Sequence, residues 1–159
     1  MAEPNSKTLT KIFSEVLANL AFLFEDGTAA ASGGDTPAIR WYTRISYFGR
    51  CAGALCLVSP PAFAELLAAN LLGLEKDDPG LAGSAEDAVK EFMNILCGQF
   101  VTAVYGPQDV FNLSIPVVET ETDPLPDGAV QTDELWVEGQ PVRVTWCAVE
   151  TAAGPSCRG

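Results

Sequence analysis

The stretch from Ser84 to Phe100, SAEDAVKEFMNILCGQF, constrains this chain more than any other. Val89, Phe92, Met93, Leu96 and Phe100 recur at the 3.6-residue spacing of a helix and form one apolar stripe. Asp87, Glu91 and Asn94 fall at i, i+4 and i+7, which places them on a second stripe directed away from the first. Gly98 prolongs that polar stripe by a turn without adding a side chain. Ser84 is expected as the N-cap, with Asp87 three residues later closing a capping-box pattern at the positive end of the helix dipole. A helix of this kind has to bury one face against a larger layer. The rest of the chain has to supply that layer.

The segments on either side supply strands. Ile39, Trp41, Thr43, Ile45 and Tyr47 alternate with Arg40, Tyr42, Arg44 and Ser46, then Gly49 marks a turn and Gly53 to Val58 reads as the second strand of a hairpin. Leu135-Trp136-Val137, the turn Glu138-Gly139 and Val142 to Trp146 make a closing hairpin. Phe111, Leu113 and Ile115 alternate with Asn112, Ser114 and Pro116, and a proline there implies an edge, a bulge or a strand end. Two further helices are expected. Residues 6–25 carry Leu9, Ile12, Phe13, Val16, Leu17, Leu20 and Phe24 at helical period. A second helix starts at Ser59-Pro60-Pro61 and ends near Gly73. The intervening stretches 25–37, 75–83 and 119–127 read as loops. Short hairpin connections with few parallel crossovers predict an α+β domain, with three helices packed on an antiparallel sheet of about six strands. The length fits one domain over residues 1–151, with 152–159 expected as a disordered tail.

Composition narrows the chemistry. A net charge of −12 argues against nucleic acid and against anionic membrane surfaces, because phosphate binding needs clustered Lys and Arg. No apolar run reaches spanning length and residues 1–25 carry no signal-peptide pattern, so a cytoplasmic protein without membrane insertion is expected. Histidine is absent, which removes Ser-His-Asp and Cys-His nucleophile systems and the usual neutral-pH base. Cys51, Cys56, Cys97, Cys147 and Cys157 contain no C-x-x-C pair and read as reduced core thiols, and no metal site is expected. Catalysis then rests on carboxylates, amides, Lys, Arg or groups supplied by a partner.

On its own, Glu91-x-x-Asn94 reads as a solvated helix face. Its surroundings resemble the CheX-type chemotaxis phosphatases of the CheC/CheX/FliY group. Those proteins carry an acidic or serine residue, a Glu and an Asn in succession on one helix, and a Pro downstream; here these correspond to Asp87, Glu91, Asn94 and Pro116. Ile95-Leu96-Cys97-Gly98 is similar to the continuation of that helix, and Phe111 to Pro116 to the strand that follows it. The resemblance implies a phosphatase acting on the aspartyl phosphate of a CheY-type response regulator. It implies that Glu91 pairs with a lysine at the partner's phosphorylation site and that Asn94 enters that site to orient the attacking water. Asp87, Lys90 and Gly98 would touch the partner, Mg²⁺ would be supplied by the regulator, and the protein would be a homodimer. The strand at 142–149 is the expected pairing edge. Asp87 also reads as a helix-start residue and Pro116 as an architectural one. A non-catalytic module of the same fold, binding a regulator, receptor or motor component, is the alternative.

Overall fold

Two hairpins frame the sheet, and the computed structural model describes them within residues 8–21, 23, 40–75, 78–120 and 129–149. The first joins β1 (Trp41–Phe48) to β2 (Ala52–Ser59), with Trp41 opposite Ser59 and Phe48 opposite Ala52. The second joins β5 (Ala129–Val137) to β6 (Gln140–Val149). Its two turn residues, Glu138 and Gly139, both have positive φ, 50° and 78°. That is the turn whose twist matches the strands it connects. Between the hairpins run α2 (Pro61–Leu72), α3 (Leu81–Tyr105), β3 (Asn112–Leu113) and β4 (Val117–Glu119), and α1 (Thr8–Val16) opens the chain.

Among the described residues the sheet has six strands in the order β3-β1-β2-β6-β5, with β4 pairing β1 beside β3. Every pairing is antiparallel. The register carries one row straight across: Ile45 faces Leu55, and Leu55 faces Trp146. Thr43, Leu57 and Val144 form the next row. All of these are buried in the core they share with the helices. The opposite face carries Arg44, Cys56, Thr145 and Thr132 in register. The α+β arrangement expected from the sequence is therefore the one found: helices on an antiparallel sheet.

Phe92 is where the three helices meet. Its ring stands edge-on to Phe13 of α1, with centroids 5.4 Å apart, and to Phe63 of α2 at 6.3 Å. Such edge-to-face pairs add about 0.5–1.5 kcal/mol each beyond area burial. Phe100, two turns on, packs against Trp146 at 5.1 Å and ties α3 to the sheet. Beneath it, Tyr47 and Tyr105 share a buried hydroxyl contact of 2.7 Å, and the Trp146 indole N–H donates to the Tyr47 oxygen at 2.9 Å. Gly53 lies under this cluster because a Cβ there would sit 2.3 Å from the Tyr47 hydroxyl.

Several boundaries differ from expectation. The central helix starts at Leu81 and runs to Tyr105, longer at both ends. Ser84 is not its cap: the Ser84 N–H donates to the Gly80 carbonyl at 3.1 Å, an ordinary helical bond. The entry is set by Asp78, whose Oδ1 accepts from Gly80 N–H at 2.8 Å. Burial of Leu81 and Ala85 extends the apolar stripe backwards and draws the helix with it. The first helix ends in a π-turn over Leu17–Ala21, so its last described helical residue falls short of Phe24. The strand expected at 111–115 is two short strands separated by 114–116, and Ile115 is 84% exposed rather than inward. Pro116, which cannot donate to a ladder, lies in that interruption.

Two corrections touch function. The 142–149 strand is internal, held between β2 and β5, so it is not the free edge on which the dimer expectation rested. Val142, Val144 and Trp146 are buried in this chain's own core. Cys51 is disulfide-bonded and not a reduced thiol, while Cys56, Cys97 and Cys147 are free and Cys157 lies outside the described residues. The tail expected at 152–159 also lies outside the described residues.

Candidate active site

The face of α3 opposite its core stripe carries the candidate site residues. Val89, Phe92, Met93, Leu96 and Phe100 are all fully buried, and this fixes the helix in rotation about its axis. With that rotation set, Asp87, Glu91 and Asn94 emerge on the solvent side, all three exposed. Lys90 and Gly98 are half-buried at the margin. The structure thus brings the five residues onto one helix surface over three turns, as the spacing required.

The pairing within this surface is specific. Lys90 Nζ is held by Glu86 Oε1 at 2.9 Å, one turn back, and so is directed away from Glu91. Among the described residues, Glu91 makes no ion pair and the Asn94 amide no hydrogen bond within the chain. The site therefore presents an uncommitted carboxylate and, one turn on, an uncommitted carboxamide. A carboxylate accepts from a cation, and a carboxamide can accept from water while donating elsewhere. At Gly98 nothing lies within 4 Å of where a Cβ would stand, and Thr102 Oγ1 donates to the Gly98 carbonyl at 3.0 Å. That position is therefore a smooth notch in the stripe and not a packing contact.

The segment carrying Pro116 flanks α3, because β3 and β4 both contact that helix. It is anchored to β1 by two bonds: Ser114 N–H to the Ser46 carbonyl at 2.8 Å and Ser46 N–H to Ser114 Oγ at 2.9 Å. Beyond that anchor Ile115 and Val117 are exposed apolar side chains. Reading the strand as a simple alternation concealed Ile115; the signal that could have shown it is the Ser114–Pro116 flank, which breaks the ladder. No group of three or more Cys, Asp or Glu suited to a metal ion occurs among the described residues. No helix among them is long and apolar enough to cross a membrane.

The family described as Chemotaxis phosphatase CheX matches residues 41–137, more than half of the 159-residue chain and including all of α3. No curated protein sequence matches. Among solved structures, a chemotaxis protein CheX from Desulfovibrio desulfuricans superposes with a TM-score of 0.68 at 16% identity, covering 91% of this chain and 98% of that one. CheX in a CheX–CheY–BeF3–Mg²⁺ complex from Borrelia burgdorferi gives 0.65 at 18% identity, over 94% of this chain and 100% of that one. Chemotaxis protein CheX from Vibrio vulnificus gives 0.66 at 18%, over 89% and 97%. At these identities the structural likeness speaks to the fold, while the sequence match speaks to descent: the chain belongs to the CheX family of chemotaxis phosphatases.

Proposed function

We propose that this protein hydrolyses the aspartyl phosphate of a CheY-type response regulator in the cytoplasm, using Glu91 and Asn94. The observation that carries the reading is the pair itself: an uncommitted carboxylate and carboxamide, one helical turn apart, on a helix locked by its core. Family membership supports it, as does the existence of a CheX–CheY complex for the Borrelia relative. In the proposed reaction water attacks the acyl phosphate in line, the P–O bond to the aspartate breaks, and the products are inorganic phosphate and a free carboxylate. Such a transfer is governed by positioning and charge stabilisation. Asn94 accepts a hydrogen bond from the water and aims it without becoming a base. Glu91 engages the lysine at the partner's phosphorylation site and fixes the approach. Asp87, Lys90 and Gly98 belong to the docking surface. Mg²⁺ would be held by the regulator and would supply charge neutralisation at the phosphoryl group.

The test is single-turnover dephosphorylation of a purified phosphorylated regulator at saturating protein. Asn94→Ala is expected to lower the rate roughly a hundredfold, about 3 kcal/mol, with regulator binding nearly unchanged. Circular dichroism should show the variant folded, because Asn94 is exposed. A folded Asn94→Ala protein hydrolysing at the wild-type rate would transfer the assignment to the binding-module alternative.

A further inference from the structure

The sheet face opposite the helices carries two of the three free cysteines among the described residues, Cys56 of β2 and Cys147 of β6. The register explains why they meet. Cys56 faces Thr145 and Ala54 faces Cys147, so the two thiols are diagonal neighbours on adjacent antiparallel strands. Thr145 and Cys147 are two residues apart, which puts both thiols on one face. They touch: the Cys56 thiol donates a hydrogen bond to the Cys147 sulfur. Cys56 is half-buried and open to small reagents, whereas Cys147 is 3% exposed.

A third group completes the cluster. Arg44 of β1 stands directly opposite Cys56 in the register and makes no ion pair among the described residues. The hydrogen bond from Cys56, helped by the Arg44 guanidinium, draws the Cys147 thiol below its ordinary range against the cost of burial. Cys56, as the donor, keeps its proton. A thiolate in contact with a second thiol oxidises in preference to an isolated thiol and has its resolving partner at hand. Cys97 is the contrast, fully buried on α3, where burial pushes its thiol up to about 12. From this we infer that Cys56 and Cys147 form a site of reversible oxidation, closed to an intramolecular disulfide by a peroxide. With hydrogen peroxide, the thiolate sulfur attacks one oxygen, the O–O bond breaks, hydroxide leaves and a sulfenic acid forms. The second thiol attacks that sulfur, the S–O bond breaks, and water leaves with the thiol's proton as the S–S bond forms. Two electrons pass from the sulfur pair to the peroxide. The diagonal offset makes the product strained and easily reduced, which suits a mark that is later removed.

Intact-mass spectrometry on the full chain, in which Cys51 is already bonded, tests the assignment. The folded protein is treated with equimolar hydrogen peroxide, quenched with catalase, unfolded, and labelled at its remaining thiols with N-ethylmaleimide. The wild type should lose two labels without gaining oxygen, and glutathione should restore both. Cys97→Ser should lose the same two. Neither Cys56→Ser nor Cys147→Ser should lose two labels. The loss should also run about tenfold faster in the folded chain than in urea, where the register that holds the pair together is gone. That comparison uses the unaltered chain and stands even where a variant folds poorly. The inference is overturned if the wild type keeps all its labels or gains oxygen in their place. It is equally overturned if the paired loss persists in Cys56→Ser or Cys147→Ser, if Cys97→Ser removes it, or if urea leaves its rate unchanged.

Discussion

Replacing Gly98 by alanine should strengthen the fold and weaken the activity, two effects of opposite sign from one methyl group. Gly98 lies well inside the 25-residue α3, where glycine costs about 0.8–1 kcal/mol relative to alanine. An added Cβ would meet nothing within 4 Å, so no clash offsets the gain. The carbonyl bond from Thr102 uses the backbone and is untouched. Gly98→Ala is therefore expected to stabilise by about 0.8 kcal/mol, a rise in Tm of roughly 2–3 °C for a chain of this size. The functional sign follows from position. Gly98 is one turn beyond Asn94 on the same exposed face, so a docked regulator would pass over it closely. A methyl forced into a packed contact typically costs about 1–3 kcal/mol, so KM should rise about tenfold while kcat changes little. Urea or thermal unfolding gives the first quantity and steady-state dephosphorylation the second. An unchanged or lower Tm would refute the helix argument, and a stabilised protein with wild-type KM would show that docking does not reach this turn.

Glu91→Ala should raise KM and lower kcat together, and Glu91→Gln should recover little, because the proposed lysine partner would require the charge; steady-state kinetics on the three proteins would show it. With this chain at −12, kcat/KM toward an acidic regulator should rise with moderate salt as screening shortens below roughly 10 Å, and a steep fall would show complementary patches instead. Tyr47→Phe should cost about 2 kcal/mol in urea unfolding, because it leaves the Trp146 N–H and the Tyr105 hydroxyl without their shared partner. Stability should also fall above pH 9. Burial pushes the Cys97 thiol up to about 12, so between the unfolded value near 9 and about 12 the unfolded state releases a proton that the folded state keeps. Each such group then costs about 1.4 kcal/mol per pH unit, and Cys97→Ser should flatten the alkaline limb of a stability-versus-pH curve. A homodimer paired through the edge of β5, which has no second strand neighbour among the described residues, is expected by light scattering, and a protein that stays monomeric as its concentration is raised would remove it.

Local chemistry made much of this legible in the sequence. Glu138-Gly139 names its own turn, the alternation of residues 41–47 names the inward face of β1, and the stripe from Val89 to Phe100 sets which way Glu91 and Asn94 point. What escaped depends on neighbours that a linear pattern does not contain. Nothing in Val142 to Trp146 says that β2 lies on one side and β5 on the other, so an internal strand read as an edge. Ser84 matches a cap, but burial of Leu81 and Ala85 carries the helix through it.

The meeting of three helices at Phe92 has a mechanical meaning for the chemistry two residues away. Asn94 swings on the same axis that the Phe92 ring clamps, so the ring acts as the stop that sets the angle of a lever. With the side-chain envelope about 5–6 Å from the helix axis, a 10° rotation of α3 carries the amide about 1 Å. A misplacement of that size in a positioning mechanism costs on the order of a hundredfold in rate. A substitution at Phe13, Phe63 or Phe92 that leaves the protein folded can therefore detune the reaction without touching a polar atom. On the proposed mechanism, the aim of the attacking water would be set in the oil of the core, on the far side of the helix from where it is used.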